Sequence, residues 1–142
     1  MSLYSQGVGA ITATNAALDI KASATVGAKL HEMGFVVGAA VNAQLILGRP
    51  GNDGSVVQTG TTAFQPDDPA DPAAQTNSAI TWSTAPTVPT LIFRKFMTVG
   101  LIGAGVIYHF PRGISFAASR GLVLWNTAAG TATANVWMVI DE

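Results

Sequence analysis

Between His31 and Leu47 the chain alternates. Apolar side chains recur at Met33, Phe35, Val37, Ala39, Val41, Ala43, Leu45 and Leu47, and the positions between include Glu32, Gly34, Gly38, Asn42 and Gln44. A period of two marks strands with one buried face. A helix over 36–47 competes on its alanines, but Gly34, Gly38 and the β-branched residues weigh against it. The C-terminal part repeats the strand signal in short runs at 91–97, 106–110, 114–116, 122–125 and 133–140. The last two, separated by Asn126-Thr127-Ala128-Ala129-Gly130, read as a β-hairpin.

The texture differs between Gly48 and Pro89. Residues 48–54 are dense in turn formers, and 55–64 hold room for one short strand or hairpin bending at Gly60. The stretch Gln65-Pro66-Asp67-Asp68-Pro69-Ala70-Asp71-Pro72 excludes helix and central strand through its prolines. Thr76 to Pro89 stays polar around Ile80 and Trp82. Residues 48–89 are therefore expected to form a long Pro/Asp-rich excursion of the kind that carries function. Residues 1–10, with their Gly and Ser, are expected to form an N-terminal arm. Short strands bounded by turns, with no convincing helix, predict an all-β, antiparallel, jelly-roll-like sandwich in one domain spanning 1–142.

Composition sharpens the functional reading. Of the 142 residues, 49% are apolar and only 11% charged, against roughly 25% charged in an average soluble domain. The chain lacks the charge to cover a monomer's surface, so part of that surface is expected to be covered by copies of itself or by a partner. Net charge is −1 and the basic residues are scattered; a nucleic-acid partner, which calls for a concentrated basic face, is not expected. The absence of cysteine excludes disulfides and thiolate metal sites. No signal-peptide pattern and no stretch of about 18 apolar residues is present, so no membrane partner is expected.

Catalytic motifs fail on inspection. Gly113-Ile114-Ser115-Phe116-Ala117 approximates a nucleophile elbow, but no histidine follows Ser115. Gly100, Gly103 and Gly105 do not complete a dinucleotide fingerprint, because Tyr108 stands where the last glycine belongs. His31 and His109 lack ligand spacing, and the aspartates of 53–71 match no calcium loop. With Glu32 and Glu142 the only glutamates, no facing carboxylate pair stands out for glycoside hydrolysis. The expectation is a non-enzyme without cofactor or metal. The candidate protein-interface residues are Tyr4, Arg49, Asp67, Asp68, Asp71, Trp82, Arg94 and Arg112. Trp82, in the irregular stretch, is the stronger aromatic anchor, and Trp125 and Trp137 default to the core.

The segment from His109 to Glu142 contains Arg-Gly-Leu-Val-Leu-Trp-Asn-Thr, a small-residue turn, and an apolar final strand ending in Asp-Glu. It resembles the closing hairpin of β-sandwich proteins of tailed-phage virions. LILGRPGNDG and the Pro/Asp-rich excursion are similar to the outward or subunit-bridging loops of such proteins. The nearest group is the capsid decoration, or cement, proteins, and about a quarter of the chain carries the likeness well. The resemblance implies a homotrimer on the outer surface of the virion, bound to the major capsid protein and stabilising the expanded shell. A receptor- or glycan-binding fibre head, or a tail or connector protein, is the alternative it leaves open.

Overall fold

The computed structural model describes residues 3–8, 15–40, 42–97, 100–128 and 134–142. Among them are thirteen strands and no helix. The first four are β1 (Leu3–Val8), β2 (Asn15–Lys21), β3 (Ala28–Val37) and β4 (Gln44–Pro50). Five short ones follow: β5 (Val57–Thr59), β6 (Thr62–Ala63), β7 (Gln65–Pro66), β8 (Asn77–Ala79) and β9 (Thr81–Thr84). The last four are β10 (Pro89–Met97), β11 (Gly105–Phe116), β12 (Gly121–Asn126) and β13 (Ala134–Asp141).

Two antiparallel sheets, ordered β11-β3-β13-β1-β7 and β10-β4-β12-β2-β8-β6, enclose one core, and β5 pairs with β9 in a separate ribbon. Taking only the eight long strands, the first, eighth, third and sixth form one sheet, and the second, seventh, fourth and fifth form the other. That interleaving is the jelly-roll order, two Greek keys folded over each other. The core is built by alternation. Leu30, Met33, Phe35 and Val37 from β3 and Val136, Met138 and Ile140 from β13 meet Leu18 and Ile20 from β2, Leu45 and Leu47 from β4, and Leu122 and Leu124 from β12. Outside, the Trp137 ring lies flat across Gly34, where a Cβ would fall 2.2 Å from Cζ2, and its Nε1 donates to Glu32 Oε1 at 3.1 Å.

Four expectations change. The alternating run 31–47 is divided between β3 and β4, one in each sheet, with a bend at 38–40. Residues 3–8 are not an arm. They form β1, paired along its length with β13, because exposed-looking Ser, Gln and Gly supply the same backbone donors and acceptors as any other residue. The last two strands are not a hairpin: β12 lies in one sheet and β13 in the other. The excursion is not irregular throughout; it carries β5 to β9.

Candidate interaction surface

The two edges of the sandwich are built differently. At one edge, β6 ends the second sheet at Ala63 and β7 begins in the first at Gln65, so the chain crosses from sheet to sheet through Phe64 alone. Phe64 is 1% exposed and plugs the core, and the Tyr4 hydroxyl beside it donates to the Pro72 carbonyl at 3.2 Å. At the other edge, β10 and β11 face one another as the terminal strands of their sheets, each hydrogen-bonded on one side only. Aromatic contacts hold them together. Phe96 meets Tyr108 edge-on at 4.5 Å, and the Arg94 guanidinium lies 5.3 Å from the Phe110 ring centroid. Arg49 of β4 spans the same gap, donating from Nη2 to the Ser115 carbonyl at 2.8 Å.

This second edge is where the chain exposes apolar surface. Of the nine large apolar side chains that stand exposed among the described residues, six fall in 91–107: Leu91, Ile92, Met97, Leu101, Ile102 and Ile107. Met97 and Ile102 are the extremes, at 77% and 73%. Two hollows flank them. One, of about 360 Å³, lies on the outer face between β4 and β10 and is lined by Ile46, Ile92, Lys95 and Met97 among others. The second, of about 340 Å³, is lined by Arg94, Phe110, Pro111, Arg112, Gly113 and Ile114. A wide bulge makes it: the register passes from His109 opposite Glu32 to Ile114 opposite Leu30, so 110–113 face His31 alone. Gly113 closes the bulge at φ +65° with Lys29 packed against its Cα, a combination only glycine accepts.

The candidates read from the sequence are distributed as follows. Arg49, Arg94 and Arg112 come together at the open edge. Asp67, Asp68 and Asp71 come together at the opposite edge, on a turn in which the Ala70 N–H donates to Asp68 Oδ1 at 2.9 Å and the Asp71 N–H to the Asp68 carbonyl at 3.0 Å. Tyr4 is 2% exposed and belongs to the core, because β1 is a sheet strand; it offers no surface to a partner. Trp82 is half-buried and turned inward, donating Nε1 to Asp19. Trp125 and Trp137 are likewise half-buried.

Sequence reasoning missed Asp19. Its carboxylate is buried on the outer face of β2 and holds the β5–β9 ribbon: Gln58 Nε2 of β5 donates at 2.9 Å and Trp82 Nε1 of β9 donates to the other oxygen. Lys21 adds a bond to the Val56 carbonyl. Burial pushes the Asp19 carboxyl up to about 6, against the opposing pull of the Trp82 and Gln58 hydrogen bonds and the Lys21 charge. The adjoining hollow, lined by Asp19, Lys21 and Asp53 among others, holds about 10 Å³, space for one water and no ligand. The only signal in the sequence was a carboxylate set in the apolar run Ala16-Ala17-Leu18-Asp19-Ile20.

The histidines are engaged as pairs, His31 with Asp141 at 3.4 Å and His109 with Glu32 at 3.1 Å. Among the described residues no three His, Cys, Asp or Glu side chains group as a metal site. No family model matches the chain, and neither does a curated protein or a solved structure.

Proposed function

We propose that the protein is a non-catalytic virion structural protein that binds the outer surface of an assembled phage capsid and stabilises it by bridging capsomers. The observation that carries this reading is the exposed apolar set Met97, Leu101, Ile102 and Ile107 around the β10–β11 connection, on a chain with 11% charged residues. Apolar surface concentrated at one end of a sandwich is the feature of a protein that buries that end against a partner. The jelly roll supports the reading by analogy alone, since the fold recurs in viral capsid and lectin domains. Binding to the assembled lattice and not to separated subunits would stabilise the lattice by mass action. A homotrimer would multiply weak contacts through effective concentration.

A fibre head would need exposed aromatics gathered in a groove, and Trp82 with Tyr4 or Tyr108 are the residues the sequence offers for it. With Tyr4 in the core and Trp82 turned onto Asp19, that aromatic group is not assembled.

The test is co-sedimentation with assembled phage shells. Wild type pellets with shells and raises their disruption temperature. Leu101→Asp with Ile102→Asp abolishes pelleting while the thermal unfolding of the free protein stays unchanged. Wild type that remains in the supernatant, or a double variant that pellets as well as wild type, overturns the proposal.

A further inference from the structure

Four of the seven basic residues meet at the open edge, and no free acidic side chain comes with them. Arg94 and Lys95 stand on β10, Arg112 on β11 and Arg49 on the neighbouring β4. The sequence holds no acidic residue between Asp71 and Asp141. Glu32, which comes into register with β11, is taken by His109 and Trp137. Asp141, which lines a hollow with Ser115, faces His31. None of the four cations forms an ion pair among the described residues. Arg94 is held by the Phe110 ring and the Phe93 carbonyl, contacts that orient its guanidinium without offsetting its charge.

An exposed cation is ordinarily satisfied by water. Here the cations coincide with a free strand edge. From Leu91 to Met97, β10 pairs with β4 on one side and with no strand on the other. The edge of β11 is poorer, broken by the 110–113 bulge and Pro111. Successive side chains of β10 point to opposite faces. Lys95 therefore lines the hollow of about 360 Å³ on the outer face, and Arg94 lines the hollow of about 340 Å³ that it shares with Arg112. Both hollows also have apolar walls, Ile46 and Met97 in the first and Phe110 and Ile114 in the second.

We infer that the free edge of β10 takes an extended acidic segment of another protein as an added strand. The backbone of that segment pairs with β10, and its alternate side chains enter the two hollows, so main-chain bonds give affinity and the hollows give selectivity. Carboxylates on one face meet Arg94 and Arg112, whose planar guanidiniums suit paired hydrogen bonds. A carboxylate on the other face meets Lys95. A second copy of this chain is disfavoured as the occupant, because edge-to-edge pairing sets Arg94 and Lys95 against their own counterparts, and like charges across strands destabilise pairing. A nucleic-acid strand brings the charge but no backbone that can join a sheet. The partner's identity rests on the capsid reading; the edge site itself is tested without shells.

The probe is a short fluorescent peptide alternating valine and glutamate, mixed with the full chain at neutral pH and low ionic strength and followed by anisotropy. Wild type is expected to bind it, more weakly as salt rises, and to leave a valine–lysine peptide free. Lys95→Glu with Arg112→Glu, at two exposed positions, is expected to weaken binding about tenfold or more with the thermal transition unchanged. Where that transition is lost, Lys95→Gln with Arg112→Gln replaces the pair, with the same direction expected. The acidic peptide N-methylated throughout keeps its charges, loses its backbone donors and is expected to stay free. An acidic peptide that wild type leaves free overturns the inference. So does an N-methylated peptide, or an oligonucleotide of equal charge, that binds as tightly, which would reduce the edge to a charged patch. Wild type that stands above one chain's mass and excludes the peptide also overturns it, with a second copy as the occupant. Wild type that binds the peptide and ignores shells overturns the capsid reading alone. Wild type that pellets with shells and leaves the peptide free overturns the edge site alone.

Discussion

The same sandwich finishes its two edges in opposite ways. The closed edge has strands of two residues, prolines at 66, 69 and 72, three aspartates and a phenylalanine plug. These are the devices by which proteins keep sheet edges from pairing with other chains. The open edge has strands of nine and twelve residues with Leu91, Ile92, Met97 and Ile107 uncovered. An edge of that length and apolarity invites association. The contrast teaches that exposure at the open edge is not a general property of a weakly charged chain. The chain covers one edge with its own excursion and leaves the other uncovered.

The largest expected effect breaks the closed edge. Phe64→Ala removes the one side chain that fills the crossing between sheets and is expected to cost about 3–5 kcal/mol of stability in urea unfolding. A loss below about 1 kcal/mol would mean that the edge is held by backbone pairing instead.

The next prediction concerns the ribbon on the outer face of β2. The folded state binds the Asp19 proton more tightly than the unfolded chain does, with the carboxyl raised from 3.8 to about 6. Below pH 3.8 both states hold the proton, and above 6 neither does. Between the two, unfolding releases it, so folded-state stability falls as pH rises across that window. Two pKa units correspond to roughly 3 kcal/mol. Lys21 and Asp53 border the same hollow, so the change is read as a difference. The unfolding free energy of wild type minus that of Asp19→Asn is expected to drop by up to that amount between pH 4 and 6.5. A flat difference would show that Asp19 carries its charge at no cost.

The smallest effect sharpens the comparison from the other side. Leu101→Asp with Ile102→Asp, on the exposed tip, is expected to change the stability of the free chain by less than about 0.5 kcal/mol. A loss comparable to that of Phe64→Ala would place the tip in the fold's own packing.

Much of this architecture was legible because strand parity is local. Met33, Phe35, Leu45 and Leu47 face the core as their spacing predicts. What escaped was long-range. Half of β1, Ser5, Gln6 and Gly7, is polar or small, and nothing nearby reveals that β13 will pair with it. Asn126-Thr127-Ala128-Ala129-Gly130 are ordinary loop residues, and alternation alone does not say whether the next strand joins the same sheet or the facing one. Leu91 to Met97 reads as a strand, but its place at an edge depends on which strands come to lie beside it. For the candidate surface, the sequence offers Arg49, Arg94 and Arg112 singly and not as a group. Arg94 and Arg112 are eighteen positions apart in sequence and share one groove only because β10 and β11 lie face to face.

The pairing of β1 with β13 fixes a direction for anything attached to the chain. Leu3 stands opposite Asp141, and Asp141 opposite Lys29, which in turn neighbours Ser115. At the other end of β3, Val37 exchanges hydrogen bonds with Gly103 and Ala104 next to Leu101 and Ile102. Leu3 and Asp141 therefore lie side by side, at the end of β3 away from Leu101 and Ile102. Chain leading into Leu3 and chain leaving Asp141 would pass on that side of the fold, so the two positions make a pair of neighbouring attachment points for a display platform.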